Sequence, residues 1–159
     1  MYAKKYEESI SEYNKFLFLP DAWIENKISA CLDLYGIYTI LQDENIALSS
    51  LFKSFEYDVP RAEICCNLGQ YFISKKQYSI AVFWLEQALN NKYDISSGGF
   101  FSKDYYDFIP YIELCVCHYN LGNIKLAIEY NEKAGSIKPT DESYLNNKVF
   151  FENMQKNPL

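Results

Sequence analysis

Cys115-Val116-Cys117-His118 brings two thiols and the chain's only histidine into four consecutive residues, and metal binding is the first chemistry to weigh there. A helix defeats it. At roughly 100° per residue, Cys115 and Cys117 point about 200° apart and cannot hold one ion. Cys115 and His118 share a face, but two ligands do not make a zinc site, and Cys-x-x-Cys occurs nowhere in the sequence. No metal is expected, and His118 reads as a packed core residue. Cys31, Cys65 and Cys66 also fall inside helical patterns. Without an apolar export segment near the start, all five cysteines read as buried, reduced thiols.

Catalysis finds no better footing. The sequence has no Gly-x-Ser-x-Gly, no phosphate-binding loop, no Gly-x-Gly-x-x-Gly and no Asp-x-Asp pair to hold a divalent ion against a diphosphate. With its one histidine assigned to packing, acid–base work would rest on carboxylates scattered over solvated helix faces. The expectation is no catalytic residue, no cofactor and no enzyme within this chain.

The elements that must position these residues repeat. Leu34 and Leu68, Tyr38 and Phe72, Ala47 and Ala81, and Leu51 and Leu85 are each 34 residues apart. A third copy follows, with Ala127 and Ala134 offset by 46, which is 34 plus an insertion of 12. This period resembles the tetratricopeptide repeat, which implies an all-α fold, a superhelix of antiparallel helix pairs A and B. The whole of 1–159 reads as one such domain. Its parts are 28–61, 62–95 and 108–141 as repeats, 96–107 as the insertion and 142–159 as a capping helix. Residues 1–20 read as a helix B without its helix A, through Tyr6, Ser9, Tyr13 and Phe16. Such a helix fits either a piece of a longer polypeptide or a native terminal cap.

Small residues mark where helix backbones approach. Gly69 in a helix interior costs about 1 kcal/mol against alanine, so its presence predicts a close contact. Asp21 and Asp43 are placed to cap helix starts, and Asp141 the last helix. Pro60 is expected in the first turn of the second helix A, and Gly122-Asn123 as a turn between A and B.

The concave face of such a repeat is lined by helix A. In the first repeat it offers Ser29, Leu32, Asp33, Gly36 and Thr39. The second offers Glu63, Cys66, Asn67, Gln70 and Ser74, and the third Ile109, Ile112, Glu113, Val116, Tyr119 and Asn120. Of these, only Asn67 suits a clamp for a C-terminal carboxylate, and Asp33 and Glu113 would repel one. No chaperone-tail binding is expected. The mixed groove suits a peptide segment, a second subunit or a neighbouring domain of the same polypeptide, or else a solvated face. In the insertion, Phe100, Phe101, Tyr105 and Tyr106 form either a contact surface for a partner or the inward side of a longer helix A. That helix would begin near Ser102 and accommodate Pro110 by a kink or a late start.

Composition narrows the partners. A 49% hydrophobic and 18% aromatic content excludes a disordered chain, and no apolar run reaches the roughly 18 residues of a membrane span. Net charge is −6 with Arg61 the only arginine, and the lysines are scattered among carboxylates. Nucleic acid is therefore excluded as an expected partner. A cytoplasmic location is expected.

A more specific likeness rests on Pro60-Arg61-Ala62-Glu63-Ile64-Cys65-Cys66-Asn67-Leu68-Gly69, Ala81-Val82-Phe83-Trp84-Leu85-Glu86-Gln87-Ala88-Leu89 and Ser97-Gly98-Gly99-Phe100. Ile109-Pro110-Tyr111, Leu114-Cys115-Val116-Cys117, Asn131-Glu132-Lys133-Ala134-Gly135 and Leu145-Asn146-Asn147-Lys148 continue it. From about Tyr6 to Phe151 the chain resembles the repeat region C-terminal to family 2 glycosyltransferase domains of Firmicutes. The resemblance implies a bacterial parent enzyme that transfers a sugar from a nucleotide donor, with this segment as its accessory scaffold. The nucleotide-binding domain and its metal-holding aspartates are missing from this sequence, so no catalytic residue carries over. A free-standing adaptor unrelated to sugar transfer is the other reading.

Overall fold

A computed structural model describes residues 2–92 and 102–156. Among them are eight α-helices and no strand. The described chain forms two compact units, residues 2–60 and residues 61–92 with 102–156.

In the first unit, α1 (Tyr2–Leu17) and α3 (Glu44–Lys53, continued by a 3-10 turn at Ser54–Glu56) both pack on α2 (Ile24–Ile40). Leu17, Ala30, Cys31 and Leu34 form its core, with Ile10, Tyr13, Phe16, Tyr38 and Tyr57 against them. Leu17 of α1 is buried and stands 34 before Leu51, itself 34 before Leu85. All three are buried, each contributing roughly 1.5–3 kcal/mol by leaving water.

The second unit runs α4 (Ala62–Ser74), α5 (Tyr78–Asn90), a 3-10 turn (Lys103–Tyr106), α6 (Phe108–Asn120), α7 (Ile124–Ile137) and α8 (Glu142–Lys156). Each helix packs on the next, and α4 also reaches α6. The joints are built from small residues. Ala81, Ala88, Ala127 and Ala134 are fully buried. A Cβ on Gly69 would stand 2.7 Å from Cγ of Leu85, so only glycine admits that leucine. Gly135 does the same for the ring of Tyr144.

Three A-to-B turns share one hydrogen-bond pattern. Asp43 N–H donates to the Tyr38 carbonyl, Gln77 N–H to that of Phe72 and Asn123 N–H to that of His118. Each closes over one left-handed residue: Gln42 (φ 62°), Lys76 (φ 58°) and Gly122 (φ 80°). This is the Schellman ending, which satisfies the last carbonyls of the helix.

Some helix boundaries match expectation and others depart from it. Asp43 accepts from Ile46 N–H at 3.3 Å as a cap, and Asp141 from Ser143 N–H at 2.8 Å. Asp21 caps nothing, because α2 starts three residues later behind Trp23. Pro60 precedes α4 rather than entering it, since extended Arg61 (φ −78°, ψ 158°) holds the N-cap place. No longer helix begins at Ser102: α6 starts at Phe108, where the Asp107 carboxylate accepts from Phe108 N–H. Pro110 then falls in the first turn, where its missing N–H has no helical partner to lose.

Candidate protein-interaction site

Spacings of three and four residues put Glu63, Cys66, Asn67, Gln70 and Ser74 on one stripe of α4, and Ile109, Ile112, Glu113, Val116 and Asn120 on one stripe of α6. The structure divides this set. One group gathers where α4 meets α6. Gln70 Nε2 donates to Glu113 Oε1 at 2.5 Å, bridging the two helices. Tyr106 Oη donates to Glu63 Oε2 at 3.1 Å, and Cys66 Sγ donates to the Tyr105 carbonyl at 3.4 Å. Tyr105 and Tyr106 thus pack onto α4, beside Ala62, Cys65 and Cys66. Lys138 Nζ ties down the same turn through Asp104. Phe100 and Phe101 lie outside the described residues.

A second group faces the last helix. Tyr119 meets the rings of Phe150 and Phe151 edge-on, with centroids 5.2 and 6.1 Å away. With Val116 it lines a small cavity of about 190 Å³ between α6 and α8. Asn67, Ser74 and Asn120 turn inward to their own helices, donating to the carbonyls of Glu63, Tyr71 and Val116. Ile109 packs against the core of the unit, and Ile112 is half-buried. Cys66 is fully buried and presents nothing to a ligand.

Asp33 belongs to the first unit, exposed on α2. It borders an open groove of about 810 Å³ between α1 and α2, whose α1 side includes Glu8, Glu12, Tyr13 and Phe16. Sequence reasoning sought the groove on helices A and left out this α1 face. The signal was present in the helical spacing of Glu8, Glu12, Tyr13 and Phe16.

Electrostatics separate binding from catalysis. Burial pushes the Glu113 carboxyl up to about 7, against the Gln70 hydrogen bond, which pulls it down. Burial also raises Glu63, opposed by hydrogen bonds from Tyr106 and the Ser102 backbone. Among the described residues Glu63 Oε1 and Glu113 Oε2 are buried without a hydrogen-bond partner. The thiols are driven the same way. Burial lifts Cys31 and Cys115 to about 11 and Cys65 and Cys117 to about 12, and it raises Cys66 as well. Such thiols stay protonated at neutral pH and are poor nucleophiles and poor metal ligands. Among the described residues no group of three or more His, Cys, Asp or Glu is placed to hold a metal ion. His118 stacks on Tyr130 at 5.3 Å and 8°, and burial lowers its pKa, so it sits neutral in the core. No helix of the described residues is long and apolar enough to cross a membrane.

Compared with known proteins, residues 62–94 match the tetratricopeptide repeat family model, a stretch that contains α4 and α5. Comparison with curated proteins gives no match. The fold is all-α and of tetratricopeptide type, an architecture of protein-interaction scaffolds.

Proposed function

We propose that this chain is a non-catalytic interaction and oligomerisation scaffold, the accessory repeat region of a bacterial family 2 glycosyltransferase, working in the cytoplasm. Sugar transfer belongs to a domain outside these residues. The observation that carries the scaffold reading is the Gln70–Glu113 bridge on the paired helix-A stripes, ringed by half-buried polar and apolar side chains with every thiol protonated. A surface of that kind suits the holding of a polypeptide. The attachment to sugar transfer rests on the resemblance of the sequence strings quoted above to repeat regions of that enzyme family. Asp33 and, when ionised, Glu113 each disfavour an acidic chaperone tail within their own unit.

The experiment has two parts. Reading the coding frame upstream of Met1 tests the attachment: a nucleotide-sugar-binding domain in frame supports it, and an in-frame stop favours the free-standing adaptor instead. Mixing the purified chain with that domain then tests the scaffold. Binding that weakens at Gln70→Ala is the expected result. Turnover of a sugar nucleotide by this chain alone would overturn the non-catalytic reading.

A further inference from the structure

In the second unit α4 packs against both α5 and α6, so a helix B and the helix A after it together receive a third helix. α1 and α2 stand in the same order, as the register of Leu17 with Leu51 and Leu85 shows. Among the described residues no third helix lies over that pair. The groove of about 810 Å³ is there instead.

Two features say what fits it. The first is steric. Tyr13 stands 34 residues before Ala47 and 68 before Ala81, both buried alanines in tight helix pairs. A tyrosine in that place, half-exposed beside Phe16, keeps a regular repeat helix from approaching as α4 approaches α5. It leaves an aromatic floor open to a looser occupant. The second is charge. Glu8, Glu12 and Asp33 border the groove against one lysine, Lys5. Glu12 also pairs with Lys15 at 2.7 Å, but with both side chains about 70% exposed that contact holds little energy. A second copy of this chain, at net charge −6, would bring more carboxylates to an acidic groove.

We infer that the α1–α2 groove is a docking site for a partner segment carrying lysine or arginine beside apolar side chains. The apolar groups lie on Tyr13, Phe16 and Ala30, and the cations meet Glu8, Glu12 and Asp33. This rests on the scaffold reading but not on its attachment to a glycosyltransferase or on the α4–α6 stripes.

Two labelled amphipathic peptides of about 18 residues, long enough to form a helix alone, test it on the full chain by fluorescence anisotropy. They share one Leu/Ala stripe and differ only in lysine or glutamate flanks. The lysine peptide is expected to bind, weakening with added salt, and the glutamate peptide is not. The exposed pair Glu8→Lys with Glu12→Lys should weaken binding at least about tenfold. Equal binding of both peptides, binding of neither, or indifference to the Glu8 and Glu12 changes would overturn the assignment. So would a dimer in light scattering that those changes dissolve, since the occupant would then be a second copy. Circular dichroism of each variant separates lost binding from lost fold. Failure here leaves the Gln70-dependent binding of the sugar-transfer domain standing, so the two proposals fail separately.

Discussion

Gly36 and Gly69 are both glycines inside helices, and their surroundings give them opposite values. A methyl group on Gly36 meets no atom of the described residues within 4 Å, so Gly36→Ala gains helix propensity alone. It should stabilise by up to about 1 kcal/mol. A methyl on Gly69 enters Leu85, which is fully buried and has nowhere to move. Gly69→Ala should cost about 1–3 kcal/mol despite the same propensity gain, and thermal melts of the two variants should shift in opposite directions. Glu113 supplies a test in pH. Its carboxyl holds a proton more tightly folded than unfolded, so the folded chain binds more protons between about pH 4.5 and 7. Stability should therefore fall as pH rises through that window, and it is the acid side that benefits. Glu113→Gln keeps the shape and cannot ionise. Urea melts at several pH values should show that slope flattened and the variant more stable at pH 8. An unchanged slope would remove Glu113 as its source.

Among the elements, the three A-to-B turns make one comparison three times. The left-handed residue is glycine at Gly122 but Gln42 and Lys76 at the equivalent places. A residue with a Cβ carries roughly 1–2 kcal/mol of strain there. Gln42→Gly and Lys76→Gly should each stabilise by about 0.5–1 kcal/mol, less than the strain because glycine is freer when unfolded. Chemical denaturation of each variant checks this, and a loss of stability at either would contradict the turn geometry. These turns were legible only where glycine marked them. The helix starts were less so. Proline is tolerated both inside the first helical turn and just before it, so Pro60 could not choose between them. Extended Arg61 chose, with Ala62 buried immediately behind it. The capping by Asp107 was hidden for a similar reason: its aspartate lies in a tyrosine-rich run whose helical spacing suited an earlier start.

For the whole molecule, charge is the property read most directly. A net charge of −6 and a pI near 4.8 put the solubility minimum near that pH, and turbidity across pH 4 to 7 should peak there. The approach to that minimum overlaps the window in which a protonated Glu113 favours the folded state, so precipitation near pH 5 should be of folded protein and reversible. The sequence by itself determined the helix pairs and their small-residue joints, because a 34-residue period acts through contacts between neighbouring helices. It also determined the candidate stripes on α4 and α6, which follow from helical spacing alone. Only the tertiary structure decided which stripe residues meet. Gln70 reaches Glu113 and Tyr106 reaches Glu63 across 43 residues of chain each, and Cys66 reaches Tyr105 across 39. No local pattern encodes such a meeting. It depends on how far each helix slides against the next, which packing contacts such as Leu85 entering the space that Gly69 leaves open between α4 and α5 decide.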